Sequence, residues 1–282
     1  MEYFHLNNGY DIPSAGIGTF LLSPDEAEAS VRAAIGDGYQ LIDTAAAYQN
    51  EKAVGRAIKA SGKDRKELFV STKLWPSEYA TGEQAIDGCL ERLGLDYVDL
   101  LFLHQPIGDV KHAYRAMEDA VKAGKVRAIG LSNFPLDELK SLVNEAEIKP
   151  SVIQVETHPY YTQKELKQYL STFGAYVMAW YPLGHGDHAL LQEPVFANLA
   201  EKYHKTPAQV ILRWHIQNGN IVIPGSKNPD HIKANLDLYD FRLTEEEMQE
   251  IAAIDREVPY YTATPEALNR YLSLVIDYSK QK

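Results

Sequence analysis

Eight short apolar runs alternate with stretches of helical spacing along most of the chain, and this alternation restricts the fold more than any single motif. The runs are Ala15–Gly18, Gln40–Thr44, Phe69–Leu74, Val98–His104, Arg127–Asn133, Val152–His158, Ala175–Tyr181 and Ile221–Ser226. Several, such as VDLLFLH, IQVETH and YVMAWY, are nearly continuous in apolar residues, which is how parallel strands covered on both faces read. Between them, DEAEASVRAAIGDG, GEQAIDGCLERLG, AYRAMEDAVKAGK and LDELKSLVNEAE space apolar residues three and four apart, with Gly near several ends. These are the crossover helices that parallel strands require. Eight such units without a Pro/Gly/Ser-rich linker or compositional break predict an α/β fold, a (β/α)8 TIM barrel spanning 1–282 as a single domain. Ahead of it, residues 1–13 predict a β-hairpin, because Asn8-Gly9 suits a tight turn between Tyr3–Leu6 and Tyr10–Ile12; it reads as a lid or plug. Residues 257–282 follow the last unit as a tail over the mouth.

Composition narrows the function. The chain has 282 residues, 45% hydrophobic and 24% charged, enough for a large core. Its formal charge is −11 and no Lys/Arg run is interleaved with aromatics, so nucleic acid is not an expected partner. Cys89 is the single cysteine, which excludes an internal disulfide or a multi-Cys metal site, suits a reducing compartment and fits a small core residue. The N-terminus MEYFHLNNGY has no basic n-region, and no stretch approaches the roughly 18 to 20 apolar residues of a membrane span. A cytoplasmic enzyme with no membrane partner is the expectation, a monomer with a dimer left open. No H-x-H or H-E-x-x-H spacing occurs, so no metal is expected, and His158, His185 and His188 read as surface residues.

In a parallel barrel the C-terminal ends of the strands form the active face, so polar residues closing apolar strands are the ones to collect. They are Asp43, followed at once by Tyr48, then Lys73, His104, Ser132, Asn133, Gln154 and Trp180. Each has an ordinary explanation when taken alone. Asp43 suits a cap before the helix starting near Asn50, Lys73 a solvated charge, His104 a satisfied core histidine, and Tyr48 and Trp180 packing with a polar handle.

Their joint placement supports chemistry. A phenol has a reference pKa of about 10 and is a poor acid near neutrality. An ammonium at Lys73, kept charged and oriented by Asp43, is expected to lower the pKa of Tyr48. His104 would donate a hydrogen bond to a carbonyl oxygen and polarise it. Ser132, Asn133 and Gln154 supply the donors and acceptors that a carboxamide needs, and Trp180 a flat face for a ring, which together describe a nicotinamide seat. No strand runs into the glycine-rich turn of the Rossmann fingerprint, so the seat is of another kind.

These residues lie in strings that resemble aldo-keto reductase signatures, in the branch that holds diketogluconate reductases and bacterial aldehyde reductases. The strings are LIDTAAAYQNEKAVGRAI, STKLW, LGLDYVDLLFLHQP, GLSNF, IQVETHPY, AWYPLG and IPGSKNPDHIKANLD, and the resemblance runs from the hairpin to about Asp255. It implies the barrel, NADPH-dependent carbonyl reduction with NADH open as a second cofactor, and a catalytic tetrad of Asp43, Tyr48, Lys73 and His104. It further implies that Ser132, Asn133 and Gln154 hold the nicotinamide amide, that Trp180 stacks where many members have Tyr, and that Leu183 and Gly184 lie over the pyrophosphate. Ser226, Lys227, Asn228 and His231 would meet the 2′-phosphate and Asn235 the adenine. Gly225 and His231 stand where many NADPH-specific relatives carry Lys and Arg, and Ala234 where many carry Glu, so weaker discrimination against NADH is expected.

On the substrate side the resemblance points to Phe20, Tyr48, Trp75, His104 and Gln105, with Tyr260, Tyr261 and Leu268 as rim residues. Gln105 replaces a Trp common in relatives, which predicts a less apolar pocket for a small-molecule carbonyl: a small aldehyde, α-dicarbonyl or keto-sugar. Three other readings stay open: a barrel aldolase with Lys73 as Schiff-base nucleophile, a metal-dependent hydrolase, and a non-catalytic nicotinamide-binding barrel.

Overall fold

The structure, a computed structural model, describes residues 1–281. Two short strands, β1 (Tyr3–His5) and β2 (Asp11–Pro13), pair antiparallel with Phe4 opposite Ile12. Gly9 turns the chain between them at φ 87, donating its N–H to the Leu6 carbonyl. Eight parallel strands follow: β3 (Gly16–Gly18), β4 (Leu41–Asp43), β5 (Phe69–Leu74), β6 (Val98–Leu103), β7 (Val126–Ser132), β8 (Val152–Glu156), β9 (Tyr176–Trp180) and β10 (Asn220–Val222). They lie side by side in chain order, and a parallel bridge between Ala15 and Val222 joins the last strand to the first. All eight expected strands are present; seven have ends within two residues of the expected ones, and the last runs Asn220–Val222, four residues short of the expected end at Ser226.

Helices α1 (Pro24–Asp37), α2 (Glu51–Ser61), α3 (Gly82–Leu93), α4 (Val110–Lys122), α5 (Leu136–Glu145) and α6 (Lys164–Ser171) return the chain between strands. The crossover from β9 to β10 holds α7 (His188–Leu191), α8 (Pro194–Tyr203) and α9 (Pro207–Gln217); α10 (Pro229–Leu236), α11 (Glu245–Ala252) and α12 (Pro265–Ser273) come after β10. No helix among the described residues is long and apolar enough to cross a membrane.

The alternation of strand side chains divides the core in two. Leu41, Phe69, Leu100, Phe102, Ala128, Val152, Met178, Ile221 and Ile223 fill the barrel interior, and Leu6 and Ile12 of the hairpin close its base, so the hairpin is a plug. The outward residues, Ile42, Val70, Leu101, Leu103, Ile129, Leu131, Ile153 and Val177 among them, pack under the helices, where Cys89 is also buried. Helix ends follow capping chemistry: Ser23 and Glu26 form a reciprocal box at the start of α1, and Gly38 ends it in the left-handed region.

At one place two helices touch through backbone. A Cβ at Gly55 of α2 would lie 2.1 Å from the Leu93 carbonyl oxygen at the end of α3. Gly55→Ala is therefore expected to lower the urea midpoint, overpacking costing about 1–3 kcal/mol against the roughly 1 kcal/mol that alanine contributes in helix propensity. An unchanged or raised midpoint would show that α2 and α3 separate freely.

Candidate active site

Extending the interior alternation to the C-terminal ends of the strands brings polar residues onto the same inward face. Asp43 follows Leu41 by two, Ser71 and Lys73 follow Phe69, His104 follows Phe102, Ser132 follows Ala128 by four, Gln154 and Glu156 follow Val152, and Trp180 follows Met178. Register places Asp43 beside Ser71, Lys73 beside Phe102, Ser132 beside Gln154 and Glu156 beside Trp180. The polar layer is the top layer of the barrel core.

Asp43 and Lys73 are enclosed together. Lys73 Nζ donates to Asp43 Oδ2 at 2.6 Å and to the Thr44 carbonyl at 2.8 Å, and its side chain has no exposed surface. Asp43 Oδ1 accepts from Ser71 Oγ at 2.7 Å and Gln154 Nε2 at 3.2 Å. Asp43 is thus an interior ion-pair partner rather than a helix cap, and Lys73 is no solvated charge. Asn50 steadies the loop carrying Tyr48: its Oδ1 accepts from Thr44 Oγ1 and its amide donates to the Thr19 and Leu22 carbonyls. Tyr48 ends a short 3-10 turn, Ala46–Tyr48, with Lys73 Nζ 5.0 Å from its ring centroid. Its ring meets His104 edge-on at 5.6 Å and Phe20 at 5.1 Å.

The expected acidity of Tyr48 is corrected by this geometry. Burial pushes the phenol well above its ordinary value, with Asp43 adding to the rise. The carboxylate beside Lys73 offsets the ammonium, so desolvation of a phenolate dominates. Burial also lowers Lys73, with Asp43 opposing that shift, and burial followed by Lys73 holds His104 well below the usual histidine range. The imidazole is consequently neutral near pH 7. Its Nδ1 is buried with no partner among the described residues, and a stranded donor is rarer in folded proteins than a stranded acceptor. The proton therefore belongs on Nε2, where it can be donated.

The amide seat is also assembled. Trp180 Nε1 donates to Asn133 Oδ1 at 2.8 Å, and Asn133 Nδ2 donates to the His104 carbonyl at 3.1 Å. Gln154 commits Nε2 to Asp43 and the Met178 sulfur, which leaves its carbonyl oxygen as an acceptor next to Ser132. A cavity of about 490 Å³ flanks Trp180, lined by Asn133, Glu156, Tyr161, Lys164 and Tyr261 among others. It adjoins the seat and does not lie over Tyr48.

Around the mouth, Trp75 meets His104 edge-on at 5.1 Å and donates its indole N–H to the Leu274 carbonyl at 2.9 Å, with Tyr271 at 5.5 Å. Gln105 is buried; Tyr79 bridges its backbone, while its side-chain oxygen has no partner among the described residues. Leu183 and Gly184 open the loop leading to α7, and Gly184 packs against Tyr260. Ser226, Lys227, Asn228 and His231 gather separately about the start of α10, and Asn235 lies near its end. There Asn228 caps the helix through the Asp230 N–H and accepts nothing else through its side chain, Lys227 pairs with Glu26 at 3.0 Å, and Asn235 is buried. Gly225 has a steric reason: a Cβ there would meet the Gly18 carbonyl at 2.9 Å.

Two functional-looking residues escaped sequence reasoning. Ser71 and Glu156 share the inward parity, which is the signal that would have found them. Glu156, buried, accepts backbone N–H groups of Tyr260 (2.5 Å) and Tyr261 (3.0 Å) and binds His158 Nε2 at 2.9 Å. His158 is fully buried, correcting the surface reading, because it fills the space between Glu156 and the Tyr260 ring; His185 and His188 are exposed.

A family model described as the aldo/keto reductase family matches residues 14–256. The chain is 46% identical to the glyoxal reductase of Bacillus subtilis over 89% of its own length and 92% of that protein's. It is 38% identical to the methylglyoxal reductase DkgA of Escherichia coli, over the same shares. A crystal structure of a Bombyx mori aldo-keto reductase in complex with NADP superposes with a TM-score of 0.87 at 35% identity, covering 93% of this chain and 95% of that one.

The neutral, buried His104 makes stability pH-dependent. Its folded value lies below the unfolded one, so the unfolded chain binds a proton first and stability present above about pH 6.5 is lost as pH falls. Urea unfolding of His104→Gln should show a smaller loss of stability between about pH 6.5 and 5.0 than the parent; equal losses would place the titration elsewhere.

Proposed function

The chain belongs to the aldo/keto reductase family and is an NAD(P)H-dependent oxidoreductase, and from that premise we propose that it reduces small aldehydes and ketones to alcohols with Tyr48 as proton donor. The observation that carries the proposal is the enclosed Lys73–Asp43 pair, 2.6 Å apart, beside a protonated phenol and a neutral imidazole. NADP(H) is the cofactor, and when bound its nicotinamide supplies the hydride. The donor set fits that group: the Gln154 carbonyl oxygen and the second Asn133 N–H are uncommitted, as a carboxamide requires.

The protein residues then divide the work. His104 donates its Nε2 proton in a hydrogen bond to the carbonyl oxygen and fixes it near Tyr48. Tyr48 stays protonated until negative charge builds on that oxygen, then releases its proton to it, completing the hydroxyl. The phenolate left behind is stabilised by Lys73, whose third N–H is not taken by Asp43 or Thr44. The same two bonds argue against Schiff-base chemistry, since the nitrogen is enclosed and paired rather than neutral and open to attack.

For substrate we favour small aldehydes and α-dicarbonyls, with keto-sugars the next class. Relatives named glyoxal and methylglyoxal reductase support this, as do the buried polar Gln105 and a Trp75 wall held in place by the tail. A substrate panel led by steroids would overturn it. Tyr48→Phe is expected to lower kcat by at least roughly 10²-fold while NADPH affinity holds, read by steady-state NADPH oxidation and fluorescence titration. Full turnover by the variant would remove Tyr48 from the role.

The residues about the start of α10 support a preference for NADPH of modest size, because Lys227 is an exposed point charge already shared with Glu26. Lys227→Ala should cut kcat/KM for NADPH roughly fivefold and leave that for NADH unchanged. Equal losses with both cofactors would show that Lys227 does not face the 2′-phosphate.

A further inference from the structure

Where β9 ends, three consecutive carbonyls are held by three different donors. Trp180 O accepts from Thr157 N at 3.3 Å, Tyr181 O from Gly184 N at 2.8 Å, and Pro182 O from His215 Nε2 at 2.9 Å. Between them Tyr181 adopts φ 50, a left-handed conformation that an aromatic residue rarely takes and that its surroundings must therefore impose. His215 is the one side chain among these donors, and it reaches the segment from α9 with no exposed surface.

Its second ring nitrogen is also committed. Asn220 Nδ2 lies 3.1 Å from His215 Nδ1 and, being an amide N–H, can only donate. Nδ1 therefore carries the lone pair and Nε2 the proton, so the bond to Pro182 runs from imidazole N–H to carbonyl. Burial holds His215 down at about 3, which keeps it in this neutral form. Packing alone would not need two oriented hydrogen bonds.

We propose that His215 is a positioning residue for the cofactor: by holding the Pro182 carbonyl it fixes the turn from Trp180 to Leu183 and so presents the Trp180 indole, bonded to Asn133, as a fixed face. The inference rests on the reading of Trp180 as the nicotinamide-stacking residue.

Three variants of the full chain test it: His215→Leu, His215→Gln and Trp180→Ala. Without cofactor, hydrogen–deuterium exchange is followed in the peptide covering 181–191; with NADPH, Kd is measured by fluorescence titration. His215→Leu is expected to speed exchange in that peptide while strands β5 to β7 stay protected, and to raise Kd roughly fivefold. His215→Gln, which keeps an N–H donor at the same reach, should return both values to within about twofold of the parent. The proposal is overturned if His215→Leu leaves exchange or Kd at parental values, or if the glutamine variant is as impaired as the leucine one. Should His215→Leu fail to fold, the glutamine variant is compared with His215→Asn, whose shorter amide cannot reach Pro182; equal Kd values for the two overturn it. An unchanged Kd in Trp180→Ala would instead overturn the stacking assignment, and the exchange measurement would still decide whether His215 holds the turn.

Discussion

A lysine and an aspartate sealed into the top of the barrel core set the terms for everything around them. Charges removed from water are costly, and their mutual attraction offsets that cost only when the remaining donors and acceptors are also satisfied. Here they nearly are: Ser71 and Gln154 complete Asp43, and the Thr44 carbonyl takes a second Lys73 hydrogen. One ammonium hydrogen is left over, on a nitrogen 5.0 Å from the Tyr48 ring centroid and 5.7 Å from that of Phe102.

That arrangement explains why the phenol is high and the imidazole low. A pair of opposite charges offers little net field to the phenol in its resting state, so burial decides and Tyr48 keeps its proton. Burial, and after it the ammonium of Lys73, keeps His104 neutral, so it contributes an N–H without a charge. On the proposed reading the site is arranged for charge that develops during reaction rather than charge already present, which is the condition under which fixed dipoles contribute most to catalysis.

The strands were readable because both of their faces are buried. Runs such as VDLLFLH leave little ambiguity, and the strand ends carry the polar residues that the barrel geometry gathers. The direction of the Tyr48 shift was not readable, since proximity of Lys73 suggested a lowered value and only the depth of burial reverses it. His158 was misjudged for a related reason: its buried partner Glu156 and the Tyr260 ring that covers it come from segments about 100 residues apart. Gly225 looked like a lost cation, and the crowding against the Gly18 carbonyl that gives it a second meaning is a contact between the first and last strands' loops, invisible to spacing. His215 carries no pattern at all; it is one apolar-face position of α9 until Pro182 is placed over it.

The tail shows how such distant contacts bear on chemistry. Past the end of the family match at residue 256, the chain gives two backbone N–H groups to buried Glu156, and the Tyr260 hydroxyl to Asp187 in the loop after Gly184. It then receives the Trp75 indole N–H at the Leu274 carbonyl, and finally lays Tyr278 on the Arg92 guanidinium between the outer helices, 3.8 Å from its carbon to the ring centroid. Asp43 and Lys73 thus stand on strands, which hold position, while Tyr48 and the walls proposed to meet cofactor and substrate stand on loops, several of them fastened by the tail. Because Glu156 belongs to the same inward layer as Gln154, the fastening begins within the barrel core itself. On the proposed reading, a change in tail sequence would reshape the Trp75 wall without touching the Lys73–Asp43 pair, so one chemistry could be kept while the accepted carbonyl changes.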